Sequence, residues 1–396
     1  MKTKLVALIL FVTTAIGISL APSIQQAQAI SGGNTTTAAV QSHQIEVVFI
    51  LDTTSSMSGL IQAAKEKIWS IATTMASAEQ APEIRMGLVA FRDRGDTYVT
   101  RVLDLSQDLD SMYASLMDLK AQGGGDGPES VNQALYDAIN RISWSESDNV
   151  YKVAFLIGDA PPHMDYNNDI KFPVTLEMAK RKGIVVNTIQ SGQSAHTAPV
   201  WKNIAQLGYG EYFQVENSGN AVAVVTPYDK KLSELASSLE DTRLYFGDRE
   251  TRERQEKKNE ATKKIQQMSS EAALARRATF NATASGESNF LGESELVDAI
   301  SSGRVELDDI DSDDMPASLK AYAPVEQMAV ITRMAEQRME IKRDIQQLSE
   351  SRNAYIVEQV GKRGDAKESL DEKIYSAVKK QAKSKGLIYE NEEARY

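Results

Sequence analysis

An unbroken apolar run, Val47-Val48-Phe49-Ile50-Leu51, ends abruptly in Asp52. Such a run leaves no face for water, so it reads as a strand buried on both sides, as in a parallel sheet. Parallel strands need long crossover connections, usually helices, and the chain supplies them. Leu60–Ala78 carries Ile61, Ala64, Ile68, Ile71 and Met75 at helical spacing. Further strands are expected over Ile84–Phe91, Thr97–Leu105, Val150–Ile157, Ile184–Ile189 and Glu211–Val215, and further helices over Leu109–Lys120, Ser130–Ile142, Val174–Lys182 and Val200–Gln206. This alternation predicts a doubly wound, mostly parallel six-stranded α/β sheet flanked by helices. Ligands of such sheets sit beyond the carboxyl ends of the strands, so those loops are where function is sought.

The loop after the first strand gives Asp52, Thr54 and Ser56, a carboxylate and two hydroxyls at alternate positions. Hard oxygen donors of this kind suit Mg²⁺ or Mn²⁺, although Ser and Thr here also fit a plain helix N-cap. Two more loops tilt the choice toward metal. Gly123-Gly124-Gly125-Asp126-Gly127-Pro128 leads into a helix, and Gly158-Asp159-Ala160-Pro161-Pro162 follows the fourth strand. Arg92 and Asp93 follow the second strand, while His163 and Asp165 follow Asp159, which puts all four on the same edge as rim residues for a partner. Arg92 and Asp93 read equally as holding the first loop or as a turn ion pair.

The order, spacing and context of these loops resemble the von Willebrand factor A domain, whose metal-ion-dependent adhesion site (MIDAS) uses an Asp-x-Ser-x-Ser motif. Asp52, Thr54 and Ser56 match that motif, with Thr in place of its first Ser, and Asp159 matches the family's last carboxylate. The Gly-Gly-Gly-Asp-x-Pro-Glu form and Phe91-Arg92-Asp93 are similar to a bacterial branch of the family. The family's threonine before the third helix falls at Gly125, which has no side chain, so Asp126 is the expected replacement. The resemblance implies Mg²⁺, or Mn²⁺ or Ca²⁺, held by Asp52, Thr54, Ser56, Asp126 and Asp159 and completed by a Glu or Asp of a protein partner. It implies binding rather than turnover, and the loops place no evident general base or nucleophile.

Composition narrows the remaining classes. The formal charge is −11, deepening to −13 without Lys2 and Lys4, which argues against nucleic acid as a partner. Cysteine is absent, so disulfides, zinc–thiolate sites and a lipoprotein anchor are excluded. Residues 1–29 read as a secretory signal peptide, with Lys2 and Lys4, an apolar core from Leu5 to Leu20, and Ala27-Gln28-Ala29 as the cleavage site. The product would be periplasmic or secreted, with no stable membrane anchor after cleavage. Residues 30–43 form a polar, disordered leader and 44–240 the sheet domain.

Residues 241–396 are a charged, all-α tail. Its best helix, 324–360, has a coiled-coil-like seam of Ile331, Met334, Arg338, Ile341, Ile345, Leu348, Arg352 and Tyr355. Packing against neighbouring tail helices is preferred for that seam, with self-association through it as the other use. Asp309, Asp311 and Asp313 fail the EF-hand pattern at Asp314 and Lys320 and read as a solvated acidic loop. Arg94-Gly95-Asp96 and Arg363-Gly364-Asp365 spell a tripeptide recognised by integrin metal sites, but Gly-Asp also simply makes turns. Two rivals to metal-dependent binding remain: a structural protein working through its tail, with the metal only stabilising, and a metal-assisted hydrolase.

Overall fold

The computed structural model describes residues 43–125, 127–218, 224–363 and 370–390. The expected signal peptide and nearly all of the leader therefore lie outside the described residues, as does Asp126. β1 (Gln44–Asp52) lies at the centre of a six-stranded sheet with β2 (Glu83–Phe91), β3 (Thr100–Ser106), β4 (Tyr151–Gly158), β5 (Ile184–Ser191) and β6 (Tyr209–Val215). The strand order is β3-β2-β1-β4-β5-β6, with only the edge strand β3 antiparallel to its neighbour. The chain winds outward one way through β2 and β3, then returns to β4 and winds the other way. The carboxyl ends of β1 and β4 therefore flank the crevice where the winding reverses, the usual ligand position of such sheets.

The apolar run of β1 is buried on both sides for a reason visible in its alternation. Ile45, Val47, Phe49 and Leu51 join one core with α1 (Ser58–Met75) and α2 (Leu109–Asp118). Val48 and Ile50 join the opposite core with α3 (Val131–Asn140), α4 (Phe172–Arg181) and α5 (Thr197–Leu207).

The remaining helices are α6 (Asp229–Glu240), α7 (Arg249–Met268), α8 (Glu271–Asn281), α9 (Glu287–Leu291), α10 (Leu296–Ser301), α11 (Pro324–Arg363) and α12 (Leu370–Ala382). They do not form a bundle apart from the sheet. α7 lies along α2, and α8 and α12 lie along α1. Leu274 and Phe280 of α8, with Leu370, Ile374, Tyr375 and Val378 of α12, enter the same core as β1. The 40-residue α11 buries Ile341 and Ile345 beside α6 and α8. Its two seam arginines are explained by acids waiting for them. Arg338 donates to both carboxylate oxygens of Glu295 at 2.9 Å, and Arg352 Nε donates to Asp229 at 2.8 Å.

The junction between α2 and α8 is also ionic. Arg277 donates to both oxygens of Asp110, at 2.6 and 2.5 Å, and to Glu240 at 2.7 Å, with the Asp110 and Arg277 side chains fully buried. Burial alone would raise the Asp110 pKa, but the Arg277 guanidinium holds it well below the ordinary carboxylate value. A folded pKa below the unfolded one contributes stability that is present above the unfolded value and lost as pH falls toward the folded one. Asp110→Ala should therefore cost about 3–5 kcal/mol at pH 7, because it leaves a buried guanidinium short of its partner. In chemical denaturation, the gap between variant and parent should narrow below about pH 4. A cost near zero at pH 7 would mean that apolar packing alone seats α8.

Candidate functional site

Asp52 ends β1 opposite Phe91 of β2, and its side chain is buried. The chain then turns so that the Thr54 backbone N–H and hydroxyl both donate to Asp52 Oδ1, at 2.8 and 2.7 Å. The Ser56 hydroxyl stands 3.3 Å from that of Thr54 and is open to solvent, at the single 3₁₀ turn Ser55–Met57 that leads into α1. On the β4 side, Gly158 packs against Asp52: a β-carbon there would stand 3.0 Å from Asp52 Cβ and 3.1 Å from Oδ2. The next residue, Asp159, is half-buried, and its carbonyl accepts a hydrogen bond from the Thr197 hydroxyl. Asp52, Thr54, Ser56 and Asp159 thus meet at the crevice between β1 and β4.

The glycine-rich segment closes the third side. Ser55 donates through its backbone N–H and its hydroxyl to the Gly123 carbonyl, and Gln122 N–H donates to the Thr53 carbonyl. Gly123 has φ +79°, and a β-carbon there would lie 2.1 Å from an oxygen of Asp96, so only glycine fits. The Asp96 carboxylate accepts from the backbone N–H groups of Gly124 and Asp93. It ties two loops together, which is the role of the first Arg-Gly-Asp tripeptide; the glycine and aspartate of the second lie outside the described residues. Gly125, where the family's threonine is missing, is exposed with no side-chain-sized contact around it.

The structure places one carboxylate here that the sequence reading did not assign. Glu129 is buried beside Thr54: a β-carbon on Gly124 would touch both Glu129 Oε1 and Thr54 Cβ at 3.2 Å. Its backbone pairs with the loop after β4, through Glu129 N–H to the Pro161 carbonyl and His163 N–H to its own carbonyl. Glu129 Oε2 is buried with no hydrogen-bond partner among the described residues. Burial, then the charges of Asp52, Asp93, Asp96 and Asp159, push its pKa up to about 9. Burial likewise pushes Asp52 up to about 7, against the Thr54 hydrogen bonds and with the Asp159 charge adding to it. Buried carboxylates this crowded are relieved either by taking up a proton or by a cation held between them. The only sequence signal was position, since Glu129 directly follows Pro128 at the start of α3, where an acid ordinarily just favours the helix N-terminus.

Three of the four expected rim residues face inward instead. Arg92 is buried, and its Nε and Nη2 donate to the carbonyls of Thr53 and Lys120 at 3.2 and 2.7 Å, with its guanidinium over Tyr98. Asp93 accepts from Ser130 at 2.8 Å and from Tyr166 at 2.7 Å. His163 stacks on Tyr166, with Nε2 at 3.4 Å from Asp93 and Nδ1 bonded to Asp165 at 2.8 Å. Desolvated groups already engaged to the backbone or to one another are not available to a partner. Asp165 alone is exposed, its pKa lowered by the hydrogen bond from His163.

Among the described residues, no set of three or more Asp, Glu, His or Cys side chains is arranged to hold a metal by itself. The donors that converge here are mixed carboxylates and hydroxyls. If Arg92 acts by fixing the first loop, Arg92→Met should destabilise the protein by about 1.5–3 kcal/mol, the range for hydrogen bonds made by a charged donor. A denaturation midpoint unchanged by that substitution would return Arg92 to the rim.

Residues 46–226 match the family model described as the von Willebrand factor A domain. No curated protein matches the chain. Among solved structures, the chain is similar to the VWA domain of SpRpn10, at 14% identity and a TM-score of 0.34, over 45% of this chain and 89% of that one. It is also similar to proximal thread matrix protein 1 from the mussel byssus, at 16% identity and a TM-score of 0.34, over 44% of this chain and 42% of that one. A form of the mussel protein with zinc occupying its MIDAS motif is similar at 17% identity, with a TM-score of 0.34.

Proposed function

We propose that the von Willebrand factor A domain at residues 46–226 is an exported, metal-ion-dependent protein-binding module, with the helices beyond it as an extension that stiffens it. The observation that carries this reading is the convergence, where the sheet's winding reverses, of Asp52, Thr54, Ser56 and Asp159, with the buried Glu129 carboxyl close by. Hard oxygen donors in that number fit Mg²⁺ and, less selectively, Mn²⁺ or Ca²⁺. Bound there, a divalent cation supplies positive charge to buried carboxylates and an open position for an acidic side chain of a partner.

Asp52 and Glu129 hold the ion from the buried side, the hydroxyls of Thr54 and Ser56 from the first loop, and Asp159 from the β4 loop. Asp126, expected as the third-loop ligand, lies outside the described residues, and Glu129 joins it as a second candidate carboxylate from that loop. Binding is preferred to turnover because that is what the resemblance of residues 46–226 to the von Willebrand factor A domain implies. An acidic whole-chain balance favours a protein over a nucleic acid as the partner. Export rests on the signal-like pattern of residues 1–29, whereas no described helix is long and apolar enough to cross a membrane.

Mg²⁺ at about 100 times its Kd should stabilise the protein by about 2.7 kcal/mol, and EDTA should remove that gain. Asp52→Asn should abolish the response. Glu129→Gln discriminates further, since it should weaken the metal response while leaving the metal-free protein about as stable as the parent, the Glu129 carboxyl being protonated there at neutral pH. Partner capture from a periplasmic or secreted fraction should then require Mg²⁺ and Asp52. Capture that survives both EDTA and Asp52→Asn, but fails when Pro324–Tyr396 is deleted, would transfer the function to the tail.

A further inference from the structure

Away from the crevice between β1 and β4, α1, α8 and α11 line an open cavity of about 460 Å³. Ser70 and Thr73 of α1, Arg276 and Thr279 of α8, and Ser349, Arg352 and Asn353 of α11 line it. Its volume falls in the range of small-molecule sites, which are usually more apolar than this one. Two buried arginines in one cavity are the feature to explain.

Arg352 is held by Asp229 through its Nε. Arg276 is equally buried but poorly matched. Its Nη1 donates to the Glu66 backbone carbonyl at 3.2 Å, the Glu66 carboxylate stands 3.8 Å away, and its buried Nε has no hydrogen-bond partner among the described residues. Lys67 adds a third buried cation, paired with Asp371 at 2.9 Å. Burial and then the Arg352 charge push the Arg276 pKa down to about 10. A buried guanidinium N–H without an acceptor is costly, and an anion relieves that cost. On the wall facing it, Thr279 and Ser349 share a hydroxyl–hydroxyl bond at 2.7 Å, and Asn353 Oδ1 is buried without a partner among the described residues. The exposed Glu350 lies at the rim.

We propose that this cavity binds a small hydroxyl-bearing oxyanion, its phosphate or carboxylate group on Arg276 and Arg352 and its hydroxyl on Asn353. Planar guanidinium forks match both oxyanions, and the amide oxygen of Asn353 accepts from a ligand hydroxyl. A ligand there touches the sheet domain through α1 and the C-terminal helices through α8 and α11, so its binding would clamp one to the other.

The test is calorimetry and thermal melting of the full chain with inorganic phosphate, glycerol phosphate and malate, in EDTA so that the metal edge does not contribute. At least one probe should bind and raise the melting temperature, with phosphate against malate identifying the anionic group. Arg276→Gln should weaken that binding by roughly tenfold or more, as the loss of a charge-assisted hydrogen bond does. Ala354→Trp, at an exposed position on the cavity wall, should block it without touching either arginine, and decides the matter if Arg276→Gln does not fold. No binding of any probe, or binding that survives the substitutions, would overturn the proposal.

Discussion

Carboxyl groups crowded and buried at the carboxyl end of β1 are what the surrounding loops are built to accommodate. Asp52 sits with no room on its β4 side, where Gly158 lies against it, and with both Thr54 donors already turned toward it. Glu129 and Asp159 close in from two other loops, and none of these three carboxylates has a basic side chain as its hydrogen-bond partner among the described residues. The nearest guanidinium, Arg92, is spent on the carbonyls of Thr53 and Lys120. Carboxylates elsewhere in the interior are met by guanidinium groups, whereas Asp52 is met by the hydroxyl and backbone N–H of Thr54.

Elsewhere that matching is thorough, and it sets how the C-terminal helices lie on the sheet domain. Lys67 of α1 meets Asp371 of α12, Asp110 of α2 meets Arg277 of α8, and Lys258 of α7 meets Asp108 at 2.6 Å just ahead of α2. Apolar burial supplies the larger attraction, through Trp69 against Phe280 and the stripe of α12 in the sheet's core. Apolar faces tolerate sliding, however, whereas a buried charge displaced from its partner costs several times what a surface pair gains. The ion pairs therefore choose among registers that the hydrophobic contacts alone would leave nearly equivalent.

This division explains what could be read from residues alone. The inner strands β1, β2, β4 and β5 were legible because burial on both faces writes a largely apolar run, and the half-exposed edge strands β3 and β6 followed from the alternation with helices, which admits few topologies. Asp52, Thr54, Ser56 and Asp159 could be placed on one edge because the loops after parallel strands converge there in that topology. Glu129 was not legible, since an acid at the start of a helix has an ordinary explanation and only the fold reveals that its carboxylate is buried on the same side of Gly124 as Thr54. Arg92, Asp93 and His163 were placed on the correct edge, but residue type and position say nothing of depth. The tail's docking was equally hidden: an apolar stripe announces that a helix is covered, not by what. Arg338 and Arg352 stood out as breaks in a seam, and their acids, Glu295 and Asp229, lie 43 and 123 residues away.

Two successive residues of α8 show how far the matching goes and where it stops. Arg276 and Arg277 share a helix turn, a residue type and nearly complete burial. Arg277 finds Asp110 on both arms of its fork and Glu240 besides, and those charges raise its pKa above an already high value despite the burial. Arg276 finds a carbonyl and a carboxylate at 3.8 Å, and burial drives its pKa down. The desolvation cost is common to both, so the difference isolates the missing acceptor. A chain able to place two carboxylates around one arginine has left its neighbour, which opens on a cavity, without a full complement. That contrast, rather than the cavity's size, is what separates a ligand site from an imperfectly packed junction.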